Sequence, residues 1–200
     1  MSKTPTALPA GYTLKDTDSV LVWTQGAFAL LPAKQLGAGE TLDMLPGDSI
    51  TDAAASFGGT VRRIGDIIET VIAIDLTGLR STAAGDIIGD DGSAEYAHIG
   101  QITADVNGTI FAGKIECLEA PTGGDPDIDL YSATEATGAE DAAISGLTET
   151  QLVDSGDHTA GSVKLLTAFP AANEYLYLVA GATTDADYTA GLLVITLYGK

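Results

Sequence analysis

The stretch Gln101-Ile-Thr-Ala-Asp-Val-Asn-Gly-Thr-Ile-Phe-Ala-Gly-Lys-Ile-Glu-Cys-Leu118 holds the strongest local signal in the chain. Asn-Gly is the pair that most readily takes positive φ at both centres of a type I′ turn, so Asn107-Gly108 predicts a two-residue hairpin. Pairing Val106 with Thr109 sets the register. Ile102, Ala104, Val106, Phe111, Ile115 and Cys117 then share one face, and Gln101, Thr103, Asp105, Lys114 and Glu116 the other. In that register His98 faces Cys117. Turn chemistry and alternation agree, and they predict antiparallel β structure.

The flanking sequence repeats the theme of short strands between turn residues. Glu69 to Leu76 sets Ile72, Ile74 and Leu76 against Val71, Ala73 and Asp75, a central strand with both faces largely covered. Ile87-Ile88, between Gly-Asp turns, reads as a short edge piece. Ile128-Asp-Leu-Tyr131, Val163 to Phe169, Glu174 to Ala180 and Gly191 to Tyr198 are further strands. Tyr175 to Val179 and Leu192 to Tyr198, joined by a turn-rich connection, are expected to be antiparallel neighbours. Seven to nine strands and no βαβ pattern predict an all-β antiparallel β-sandwich of jelly-roll-like connectivity.

Toward the N-terminus, residues 1–19 read as an extended arm, and Val20 to Trp23 and Gly26 to Leu31 as short strands. Pro32 to Gly59 reads as a connector with one helix near Ser49 to Ser56, capped by Asp48 or Ser49. The expected organisation is thus an N-terminal arm with short strands over 1–58, serving attachment, and a β-sandwich domain over 59–200.

The 200 residues carry 28 Asp+Glu against 9 Lys+Arg, a formal net charge of −19. Nucleic-acid binding draws on clustered Lys and Arg, so that class is excluded, and anionic membrane surfaces are disfavoured alike. With 45% hydrophobic and only 18% charged residues the chain can bury a core. A single cysteine, Cys117, permits no internal disulfide. The first ten residues lack the apolar centre of a secretory signal, and no apolar run reaches transmembrane length, so the chain reads as a soluble protein made in the host cytoplasm.

Motifs for chemistry are sparse. Histidines stand only at His98 and His158. Ser155-Gly-Asp-His158 contains triad residue types, but adjacency in sequence is not triad geometry, and it reads as a Gly-rich turn. The His98 and Cys117 pair lacks an oxyanion site and reads as filling of the inner face. Asp86-Ile-Ile-Gly-Asp-Asp91 and Asp125-Pro-Asp-Ile-Asp129 miss the calcium-loop pattern and read as solvated loop acids. Gly37-Ala-Gly39 begins a phosphate-loop pattern, but Leu42 stands where the third glycine belongs. No catalytic residue, cofactor or metal site is assigned.

An acidic, Gly/Ala/Thr/Asp-rich chain of this kind resembles the virion structural proteins of tailed bacteriophages, in particular head decoration or cement proteins and their fibre relatives from marine phages. The likeness lies in the arm Thr6-Ala-Leu-Pro-Ala-Gly-Tyr12, the strand-and-turn series Ile102 to Leu118, and the closing stretches Tyr175 to Gly181 and Tyr188 to Gly199. It covers about the C-terminal two-thirds and rests on style and composition. The resemblance implies a non-enzymatic protein on the capsid exterior, bound to the major capsid protein lattice, either as a homo-oligomer such as a trimer or as lattice-bound copies. Leu14, Leu21, Trp23 and Phe28 are then the partner-interface residues. Alternatives are a tail or fibre component, or a glycan-binding module using Tyr175, Tyr177 and Tyr188 on an exposed face.

Overall fold

A computed structural model describes residues 19–24, 27–32, 45–91 and 95–200. The chain divides into two compact units, Met1–Glu40 and Thr41–Lys200. In the first, β1 (Ser19–Thr24) pairs antiparallel with β2 (Ala27–Pro32). In the second come α1 (Asp48–Thr51), β3 (Phe57–Ile64), β4 (Ile67–Asp75), β5 (Leu79–Ser81), β6 (Gly89–Asp90) and α2 (Ala104–Asn107). They are followed by β7 (Ile110–Thr122), β8 (Ile128–Ala133), β9 (Glu149–Val153), β10 (Val163–Leu165), β11 (Tyr175–Ala180), β12 (Ala186–Asp187) and β13 (Ala190–Gly199). The architecture is all-β, and every strand pairing is antiparallel.

Five strands form the largest sheet, in the order β10-β7-β13-β4-β3. Its register follows from period-2 patterning. Ile72 and Ile74 of β4 pair with Ile195 and Leu193 of β13, which in turn pair with Ile115 and Cys117 of β7. All six side chains have no exposure and make up one inner face. The glycines permit two close approaches: at Gly113 an added Cβ would stand 2.8 Å from Leu197 Cδ2, and at Gly191 the same distance from Leu76 Cδ1. The expected central strand is found here, with Ile72, Ile74 and Leu76 fully buried and Val71, Ala73 and Asp75 half-buried.

A second sheet, β11-β8-β9, contributes Ile128, Leu130, Leu152, Leu176 and Leu178 to the same apolar cluster as the five-stranded sheet, so one core lies between them. A third, small sheet has the order β12-β5-β6. Irregular backbone takes up the free edge of β11: Ile88 N bonds the Leu178 carbonyl at 2.9 Å and Ile99 N the Leu176 carbonyl at 2.8 Å. Ile87 and Ile88, expected as a short edge piece, lie at this edge, Ile87 bridging Val179, and both are buried.

Several local expectations are overturned. Asn107-Gly108 makes no hairpin. Thr103 to Asn107 turns as the helix α2, and Gly108, at φ 70°, ends it. The reason is the Asn107 side chain, which is buried and bonded at both ends: Oδ1 accepts from Thr103 N at 2.8 Å, and Nδ2 donates to Thr70 Oγ1 at 2.9 Å. β7 then pairs with β13 and β10 rather than with the preceding residues. Phe111, placed by the hairpin register on the inner face, sits at a β-bulge and is exposed. Nor are β11 and β13 neighbours. Both edges of β13 are taken by β4 and β7, the long strands with matching apolar alternation, and β11 pairs with β8. α1 starts after Gly47, with no side-chain cap from Asp48 or Ser49; Ser49 Oγ instead accepts from Asp90 N at 2.9 Å.

Candidate functional site

Of the expected interface residues, Leu14 lies outside the described residues, as do Gly37, Gly39 and Leu42. Leu21, Trp23 and Phe28 occupy β1 and β2, where Trp23 is the register partner of Phe28 and Leu21 that of Leu30.

The residues singled out for catalysis are held in structural roles. Without the hairpin, His98 and Cys117 are not cross-strand partners; Cys117 pairs with Leu193, and its backbone bonds Gly161 and Ser162. Burial pushes the Cys117 thiol up. His98 packs in the cover over β11, its ring centroid 5.0 Å from Tyr175 and 6.3 Å, edge-on, from Tyr177. Its Nδ1 is buried without a hydrogen-bond partner, and burial lowers its pKa, with Asp48 opposing. Tyr177 and Tyr188 are fully buried and Tyr175 is half-buried, so the exposed tyrosine platform expected for glycans does not exist. The phenols bond backbone carbonyls instead: Tyr177 that of Glu135 and Tyr188 that of Asp125, each at 2.7 Å. Burial pushes the Tyr177 pKa up to about 12.

Ser155, Asp157 and His158 lie beside the Asp125–Asp129 cluster, joined to it by a β-bridge between Asp127 and Asp157. His158 Nε2 donates to the Ile128 carbonyl at 2.9 Å. This leaves His158 Nδ1 a bare acceptor, and neither it nor the buried Ser155 Oγ has a partner, so they form no nucleophile and base pair. Burial is the main cause of the lowered His158 pKa. Asp125 and Asp129 use their carboxylates as backbone acceptors, from Ala182 N and Ser155 N respectively, each at 2.7 Å. They are thus not the solvated acids expected from sequence. Asp127 Oδ1 has no partner; burial, then repulsion from Asp129, Asp125, Asp154 and Asp157, raises its pKa. Among the described residues, no three His, Cys, Asp or Glu side chains are placed to hold a metal ion.

Two features went unread in the sequence. Arg80 is the cross-strand partner of Asp187 and binds it at 2.7 Å, with a second contact of 2.7 Å to Asp185 and a third of 3.7 Å to Asp91. These carboxylates hold the guanidinium above its ordinary pKa, and Arg80, Asp91 and Asp185 border an open depression of about 530 Å³ that also includes Thr82, Glu140 and Asp141. Asp185 and Asp187 lie more than 100 positions away from Arg80, beyond the reach of local pattern. The second feature is the outer face of the five-stranded sheet. Among the described residues nine large apolar side chains are exposed, and six of them, Ile64, Ile67, Phe111, Leu118, Val163 and Leu165, belong to strands of this sheet. This clustering on one sheet differs from singly scattered exposed apolar residues.

Comparison of the chain with protein-family models, with curated proteins and with solved structures found no match.

Proposed function

We propose that the protein is a non-enzymatic structural component of a virion: a decoration or cement protein that binds the outer face of an assembled major capsid protein lattice and stabilises it. The observation that carries this reading is the two-stranded N-terminal unit. Its strands, Ser-Val-Leu-Val-Trp-Thr and Ala-Phe-Ala-Leu-Leu-Pro, are apolar at nearly every position and so on alternate residues of both faces. A two-stranded sheet is marginal by itself in water, and apolar residues on both faces need apolar cover. An attachment element that completes its burial on a lattice has this composition, and Leu21, Trp23 and Phe28 are its anchors, with Leu14 beside them in sequence.

Charge supports the same assignment. A net −19 suits an outward surface that repels both DNA and other particles. Cementing then follows from mass action, because a ligand that binds assembled subunits and not separated ones stabilises the assembly, and many copies multiply a modest affinity.

The test is co-sedimentation of the full chain with empty heads of the encoding phage, followed by thermal disruption of the heads. Saturable binding that raises the disruption temperature is expected, weakened at least tenfold, or about 1.4 kcal/mol, by Trp23→Ala. Absence of binding by the intact chain overturns the proposal, and a stable free trimer in that case points to a tail or fibre component.

A further inference from the structure

The outer face of the five-stranded sheet is built for contact, and its charge indicates with what. Alternation places Val163 and Leu165 of β10, Val194 of β13, Val71 of β4 and the Ile64 and Ile67 pair on this side. Leu165 is 70% exposed and Ile64 53%. The charged residues in the middle of the face neutralise one another in place: Lys114 bonds Glu116 at 2.8 Å, and Arg62 bonds its cross-strand partner Glu69. In a chain with a threefold excess of acid this is a locally balanced apolar surface.

A basic partner would be met by unpaired carboxylates, which the chain has in surplus. A partner as acidic as the chain itself has to be met where the carboxylates are already paired. We propose that this face binds a second copy of the chain, sheet against sheet, as a twofold-symmetric dimer. The five strands, about 4.8 Å apart and rising about 3.3 Å per residue, present on the order of 600 Å² per copy. The pair then buries roughly 1,200 Å², the lower end for a specific interface. Two sheets packed face to face about 10 Å apart interdigitate such side chains, and a twofold axis makes one patch serve both copies.

The proposal is independent of capsid binding and is tested on the full chain by sedimentation velocity with light scattering, up to about 200 μM, well above a micromolar Kd. The expected mass is twice 20.3 kDa. Because two like-charged bodies approach, salt screening tightens the dimer between about 0.15 M and 0.5 M NaCl. Leu165→Glu and Ile64→Glu, at opposite edges of the face, each weaken it tenfold or more while the far-UV spectrum and melting temperature stay unchanged. Leu45→Glu, an exposed apolar residue off the sheet, leaves the dimer intact. A monomer at every concentration, a dimer indifferent to both sheet variants, or one that salt dissociates overturns the proposal. A monomer that loses capsid binding on Leu165→Glu also overturns it and gives the face to the capsid instead.

Discussion

Ten of the twelve residues in β8 and β11 are buried, whereas β7, the longest strand of the five-stranded sheet, buries four of its thirteen. The β11-β8-β9 sheet is buried on both sides along β8 and β11, with Ile87, Ile88 and Ile99 part of its core. Among the described residues, the five-stranded sheet keeps one face in the core and leaves side chains such as Leu165 exposed on the other. Both use the same strand chemistry, so the difference comes from the connections. Residues 85–88 and 99–102 hydrogen-bond along the free edge of β11 and Gly138 packs against Tyr177 and Ile87, whereas among the described residues the outer side chains of the five-stranded sheet keep their exposure. Core truncations should therefore cost most in the covered sheet, and substitutions on the exposed face of the other should cost least.

The contrast is broken most directly from the covered side. Leu178→Ala, at a fully buried position, is expected to cost about 2–5 kcal/mol by urea unfolding; a loss below 1 kcal/mol would mean that the cover is loosely packed. Asn107→Ala removes the side-chain bonds to Thr103 N and to Thr70 Oγ1 and costs about 1–3 kcal/mol in the same assay. Asp127→Asn removes a charge that burial and four neighbouring carboxylates disfavour, so at pH 7 it raises the melting temperature by about 2–4 °C. The folded Asp127 pKa lies above the unfolded one, so wild type recovers stability as pH falls through the folded value; the advantage of the variant should shrink there.

A subtler probe is pH itself. Burial holds His98 below its ordinary pKa of 6.5, so between the two values the unfolded chain binds more protons. The contribution of neutral His98 is full above pH 6.5 and is lost as pH falls toward the folded value. The exchange protection factors of Leu176 and Leu178, beside the Tyr175 and Tyr177 rings on which His98 packs, should therefore fall on acidification more than that of Ile195, and His98→Phe should remove the difference. Smallest of all is Leu165→Ala on the open face, within about 0.5 kcal/mol in stability.

Much of the fold was legible where one strand carries its own pattern. β4 showed its alternation and its centrality, β8 its short apolar run, and β11 and β13 their strand character. Pairing was not legible, because the partner of β13 is chosen by the fit of Ile72, Ile74, Ile115 and Cys117 across more than 70 residues of sequence. Asn107-Gly108 misled because the same residue pair that suits a type I′ turn also ends a helix, with glycine at positive φ and a buried amide as its brace. β9, Glu-Thr-Gln-Leu-Val, carries too little apolar pattern to stand out. For the candidate sites, Trp23 and Phe28 were legible as residues of two short strands. The open sheet face was not, since an apolar residue looks the same in sequence whether its side of the sheet is covered or bare.

The centre of the five-stranded sheet is filled by β13, which the ribosome makes after both of its neighbours. At roughly 5–20 residues per second, about 3–14 s separate the completion of β7 from the arrival of β13. During that interval β4 and β7 flank a vacant slot in the nascent sheet, with Ile72, Ile74 and Ile115 uncovered and two strand edges unpaired. When several chains grow on one message, residues 190–199 of one chain can enter the slot of another before its own arrive. Strand exchange between sister chains is thus built into the order of synthesis, and a chaperone that shields the slot would favour each chain closing on itself.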